Sequence, residues 1–179
     1  MSTISRPRER PTRAVPFLVN GQRMKQPEFH RRYEAYPPHE KWELIGGIVY
    51  NMSSPLRYPH GSYDFLLSGA LALYAASTPG VEGANNVTSI LGEESEPQPD
   101  SVLRIAAEYG GRSKINEGEY LEGPPEFIAE IAYSSLDIDM HRKREDYERA
   151  GVAEYLVVCV EDQELHWFDF RTGQPMRPT

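Results

Sequence analysis

One short stretch constrains this chain more than any other. Phe127–Ala132, FIAEIA, is an apolar run of strand length interrupted by a single carboxylate. It reads as a buried strand, and a buried acid is costly unless something pairs with it. Glu130 therefore requires a partner that packing alone would not demand. Directly after it, Ser134 and Ser135 offer an N-cap. Residues 136–150 form a charged helix that closes at Gly151, a C-cap position. Asp139, Lys143 and Tyr147 recur every fourth residue along that helix and so share one face. A second apolar run over 155–160 completes a strand–helix–strand unit, with Glu130 near a strand end and Lys143 on the helix that follows.

Upstream, the segment Glu96-Pro97-Gln98-Pro99-Asp100 delivers an aspartate to the start of the apolar run 102–105. Two strand carboxylates and a lysine are the parts needed to hold a divalent cation and activate a water for phosphodiester hydrolysis. On helical spacing alone, Lys143 would simply form an i,i+4 ion pair with Asp139, contributing about 0.3–0.5 kcal/mol if exposed.

The 179 residues suffice for one domain with a real core. With 19 basic against 27 acidic residues, net charge −8, the chain is not a general nucleic-acid-coating protein acting through phosphate charge alone. A nuclease stays open, because acidic metal ligands themselves add negative charge. The single cysteine, Cys159, sits among apolar neighbours as a small core residue, which excludes a disulfide framework. No apolar run approaches the roughly 20 residues that span a bilayer, and no signal-peptide core is present, so a cytoplasmic protein without a membrane anchor is expected.

In chain order, residues 1–16 are rich in arginine and proline and read as a flexible arm. Residues 27–36 have helical spacing, with Phe29, Tyr33 and Tyr36 on the core side. Trp42–Ile45 and 48–52, separated by Gly46-Gly47, read as a hairpin. Its polar exception, Glu43, either faces solvent or reaches the metal site. His60 opens a segment, 62–76, apolar over so wide a face that a buried helix is expected; the imidazole binds phosphate or merely caps and stacks. Residues 81–91 read as one loose strand, 107–125 as a long loop or lid carrying Arg112 and Lys114, and 164–170 as the final strand, paired to 155–160.

Taken together, Glu43-Leu44-Ile45-x-Gly47-x-Val49-Tyr50, Met52-Ser53-x-Pro55, His60-Gly61, the Glu96–Asp100 segment, Glu130-Ile131-Ala132 and Asp139…Lys143…Tyr147…Gly151 resemble the Uma family of restriction endonucleases, within the PD-(D/E)XK nuclease-like superfamily. The resemblance covers most of the chain. It implies an α/β restriction-endonuclease-like core over residues 17–179, a mixed central β-sheet flanked by helices, with a magnesium or manganese site. Asp100 and Glu130 match the metal-holding acids; Glu43, His60 and Asp139 are accessory candidates. The superfamily's E-x-K pattern would put a lysine at position 132, where this chain has Ala132, and the family supplies it instead from the following helix as Lys143. Members often continue with another strand and helix after the segment matching 167–170, so the sheet edge here is either short or completed by a partner chain.

Two readings follow. In the first, Asp100, Glu130 and Lys143 form the catalytic set of a Mg²⁺- or Mn²⁺-dependent endonuclease acting on DNA as a homodimer. In the second, the chain is a non-catalytic binding or assembly module that retains the fold. They divide on whether Asp100, Glu130 and Lys143 converge or Lys143 points to solvent.

Overall fold

The computed structural model describes residues 15–133, 135–172 and 174–176; most of the expected N-terminal arm, residues 1–14, lies outside them. Along the chain run α1 (Gln26–Tyr33), β1 (Trp42–Ile45), β2 (Ile48–Asn51), α2 (Tyr58–Ser77), β3 (Val81–Asn85), β4 (Ser89–Ile90), β5 (Ser101–Ile105), β6 (Lys114–Ile115), β7 (Leu121–Glu122) and β8 (Phe127–Ala132). A π-helical turn (Ile138–Lys143) then leads into α3 (Arg144–Ala150), followed by β9 (Glu154–Cys159), β10 (Glu164–Asp169) and β11 (Gln174–Met176).

The central sheet has the order β11-β10-β9-β8-β5-β3. Its neighbours are antiparallel except β8 and β9, which run parallel with Glu130 opposite Val157. A parallel pair needs a crossover connection, and the π turn with α3 is that crossover. It ends where Gly151 adopts φ +88°, a left-handed value suited to glycine, and donates to the Tyr147 and Glu148 carbonyls. The mixed α/β fold class expected from the sequence is thus the one observed.

The pleat sorts β8 and β9 onto two cores. Phe127, Ala129 and Ile131 pack with Leu156 and Val158 toward α2, while Ile128 and Ala132 pack with Tyr155, Val157, Cys159 and Tyr147 on the α3 side. A period of two places Glu130 on the α3 side too. A third cluster, Phe29, Trp42, Leu44 and Val49, joins α1 to the β1–β2 hairpin. That hairpin turns at Gly46 and Gly47, both at positive φ as a two-residue hairpin turn requires. Leu44 and Glu96 exchange backbone hydrogen bonds at 3.1 and 2.8 Å, fixing the hairpin against the segment that leads to Asp100.

Four expectations change. The helix expected to be buried, α2, has no fully buried residue: Tyr63, Leu67 and Leu71 pack on the sheet and the opposite face is open. The single strand expected over 81–91 is two, because after Asn86, at positive φ, the chain leaves the central sheet and β4 pairs in parallel with β7. Residues 107–125 are not one uninterrupted loop: they contain a short 3₁₀ turn and the two-residue strands β6 and β7, which join β4 in a small sheet. Finally β10 is not the last strand, since β11 extends the sheet beyond it. Among the described residues no helix is long and apolar enough to cross a membrane.

Candidate active site

The partner that Glu130 requires is on the crossover. Glu130 Oε1 accepts hydrogen bonds from Lys143 Nζ at 2.9 Å and from the Tyr147 hydroxyl at 2.7 Å. Lys143 Nζ also lies 3.0 Å from Glu43 Oε2 and 3.5 Å from Asp139 Oδ1. One ammonium, 1% exposed, is thus shared by three buried carboxylates. π-helical turns are rare and concentrate at functional sites; this one carries Asp139 and Lys143 inward together. Asp139 is itself held by Ser135, whose hydroxyl donates to Oδ2 at 2.5 Å and whose carbonyl accepts the Asp139 N–H at 2.9 Å.

Asp100 arrives from the neighbouring strand. Ser101 stands opposite Ala129 in the antiparallel β5–β8 register, which brings Asp100 to the level of Glu130. Asp100 Oδ2 accepts the Ile131 N–H at 2.7 Å and faces His60 Nε2 at 3.5 Å. Asp100, Glu130, Asp139, Lys143 and His60 all line one cleft of about 630 Å³. Glu43 does not line it. From β1 it lies behind Lys143, fully buried, with Oε1 accepting the Gln98 N–H at 3.1 Å and facing Lys41 Nζ at 3.5 Å.

The electrostatics separate the two strand acids. Burial pushes the Asp100 carboxyl up, but His60, Lys41, the Ile131 N–H and Lys143 outweigh it and hold the group below its usual range. Burial also pushes up Glu130, and Lys143 only partly offsets this against Asp100, Asp139 and Glu43, leaving it at about 8. Asp139 is raised as well, mainly by burial. For Lys143 burial acts downward, yet Glu130, Glu43 and Asp139 override it and keep the ammonium well above its ordinary value. Its hydrogen bond to Asp100 raises His60.

These residues suit a hard divalent cation. The donors are carboxylate oxygens, and acids outnumber the cations that face them. His60 Nδ1 is buried with no hydrogen-bond partner among the described residues, while Glu43 Oε2 and Asp139 Oδ1 are met by the Lys143 ammonium at 3.0 and 3.5 Å. No group of three or more His, Cys, Asp or Glu side chains is arranged as a ready cage there. Magnesium characteristically binds through one or two carboxylates and keeps several waters, which is what Asp100 and Glu130 offer.

Each site residue expected from the sequence falls in this cluster. Glu43 faces neither solvent nor the cleft directly, and Lys143 brings its ammonium to Glu130 while Ala132 packs in the core. Sequence reasoning missed Lys41, Arg57 and His39, which line the cleft beside Glu40; as single residues beside strand or helix ends they carried no periodic signal. Tyr147 was visible as a member of the helix face, though its hydroxyl's role was not.

The family model of Uma2, described as "Putative restriction endonuclease", matches residues 27–177. A solved structure described as "a putative nuclease belonging to DUF820" from Anabaena variabilis superposes with a TM-score of 0.61 at 11% sequence identity, covering 82% of this chain and 81% of that one. At that identity the likeness speaks for the fold. Among curated proteins no match was found. A family match over nearly the whole folded part of the chain, on the fold of a nuclease-like relative, makes this protein a member of the Uma2 family.

Proposed function

We propose that this protein is a divalent-metal-dependent endonuclease that hydrolyses phosphodiester bonds in DNA. The observation that carries the reading is the convergence of Asp100, Glu130 and Lys143 in one cleft, the lysine arriving from the helix rather than from position 132.

Asp100 and Glu130 would hold the cation, with the Ile131 carbonyl available as a further oxygen donor. When bound, the ion would supply Lewis-acid polarisation of the phosphoryl group and lower the pKa of a water. The protein's own part is mainly positional. Asp100 is kept ionised by His60 and Lys41. Lys143 is kept protonated and pinned from behind by Glu43 and Asp139, so its ammonium can orient the attacking water and offset charge building on the phosphoryl oxygens without first reorganising. In a chain of net charge −8, Lys41 and Arg57 in the cleft lining would offer cationic groups to a phosphate backbone.

The test is a supercoiled-plasmid assay with magnesium or manganese. Nicking that is abolished by chelation and by Asp100→Asn supports the proposal. Absence of nicking with either metal, or nicking unchanged in Asp100→Asn, contradicts it.

A further inference from the structure

The open face of α2 is as apolar as a core. Phe65, Leu66 and Leu73 are 78%, 65% and 73% exposed, and Tyr74 is 55% exposed. Small residues Gly69, Ala70, Ala72 and Ala76 fill the intervals, also exposed. From Phe65 to Val81 the sequence contains no Asp, Glu, Lys, Arg or His. Water-facing helices normally carry charge on the outer face, and a monomer's largest apolar patch is about 300–600 Å².

We infer that this face is the interface between two copies of the chain, packed α2 against α2 about a two-fold axis. The observations select this occupant in three ways. A face without charge offers no counter-charge to nucleic acid or to a charged peptide, so its occupant must itself be apolar and uncharged, as a second copy of the same face is. In a two-fold contact the same patch must fit itself. Here large side chains at 65, 66 and 73 flank a hollow at Gly69, where an added Cβ would meet nothing within 4 Å in the same chain. A ridge from one copy can therefore enter the hollow of the other. The exposed apolar area, on the order of 600 Å² per copy, would remove about 1,200 Å² in a pair, which reaches the size of a specific interface. Beside α2, β3 forms a free sheet edge among the described residues. The inference is independent of the catalytic reading, since neither metal nor DNA enters it.

Sedimentation equilibrium on the full chain in metal-free buffer tests it, with Leu66→Glu and Leu73→Glu as variants. The expected result is a mass twice 20.4 kDa for the wild type across the micromolar range, with association at least about 30-fold weaker in either variant and an unchanged far-ultraviolet circular dichroism spectrum. Should either variant unfold, Gly69→Cys decides instead: oxidation gives a disulfide-linked pair, whereas the exposed Glu145→Cys does not. A monomeric wild type overturns the inference, as does a dimer that both charged variants and the Gly69→Cys crosslink leave untouched. A monomer that binds neutral phosphatidylcholine vesicles through Leu66 and Leu73 would assign the face to lipid and overturn it too.

Discussion

Lys143 Nζ and Glu130 Oε1 stand 2.9 Å apart in the protein interior, one on a π turn and the other on the strand that precedes it. Position 132, two residues along the strand from Glu130, is an alanine in the hydrophobic core. The positive charge reaches the carboxylate from the crossover, so sheet and helix must dock before the site exists. Folding and site assembly are thereby one event.

Lys143→Met should leave Glu43, Glu130 and Asp139 facing one another without a cation. Breaking such a buried group costs about 3–5 kcal/mol. At pH 8 urea denaturation should show a loss in that range. Toward pH 5 the loss should shrink, because the raised Glu130 and Asp139 carboxyls can take up protons. Plasmid nicking should be abolished at either pH.

Stability in metal-free buffer should fall as pH rises from about 4.5 to 8. The reason is Glu130: its folded-state value, about 8, exceeds the ordinary 4.5, so its contribution is complete below 4.5 and disappears as pH rises through 8. The raised His60 acts in the same direction near its own range. Asp100, held low, acts oppositely, but only in acid, where its contribution is lost as pH falls below about 4. Thermal melts across this range should show a shallower pH slope in Glu130→Gln than in the wild type; an equal slope would mean that Glu130 is ionised throughout.

Asp146 provides the structural control. Buried on α3, it accepts from the Ser95 hydroxyl at 2.5 Å and the Gly46 N–H at 3.1 Å, and it pairs with Arg149. These contacts fasten the hairpin turn and the segment before Glu96 to the crossover. Asp146→Ala should lower stability by about 2–3 kcal/mol, read from denaturant midpoints. Cleavage by the protein that remains folded should be unchanged, because Asp146 lies outside the cleft.

What could be read in advance follows from how locally each feature is encoded. Glu130 stood out because one acid in an apolar run has few explanations, and the spacing of Asp139, Lys143 and Tyr147 identified a shared helix face. Glu43 stayed ambiguous, since alternation alone cannot say whether the polar side of a hairpin meets water or another element; the docking of Leu44 on Glu96 settled it. The two-residue strands β6 and β7 are too short for any periodicity, so residues 107–125 read as loop. For α2, composition was legible and its surroundings were not: a face that meets another molecule has the same sequence signature as one that meets the core.

The most direct test of the central claim is a calorimetric titration of manganese into wild-type protein and Glu130→Gln, run in two buffers of different ionisation enthalpy. The account predicts one binding event in the wild type, weaker by at least about tenfold in the variant, with protons released near pH 7 because ligation requires the raised Glu130 carboxyl to ionise. No heat of binding at millimolar metal, or equal affinity in the two proteins, would contradict it.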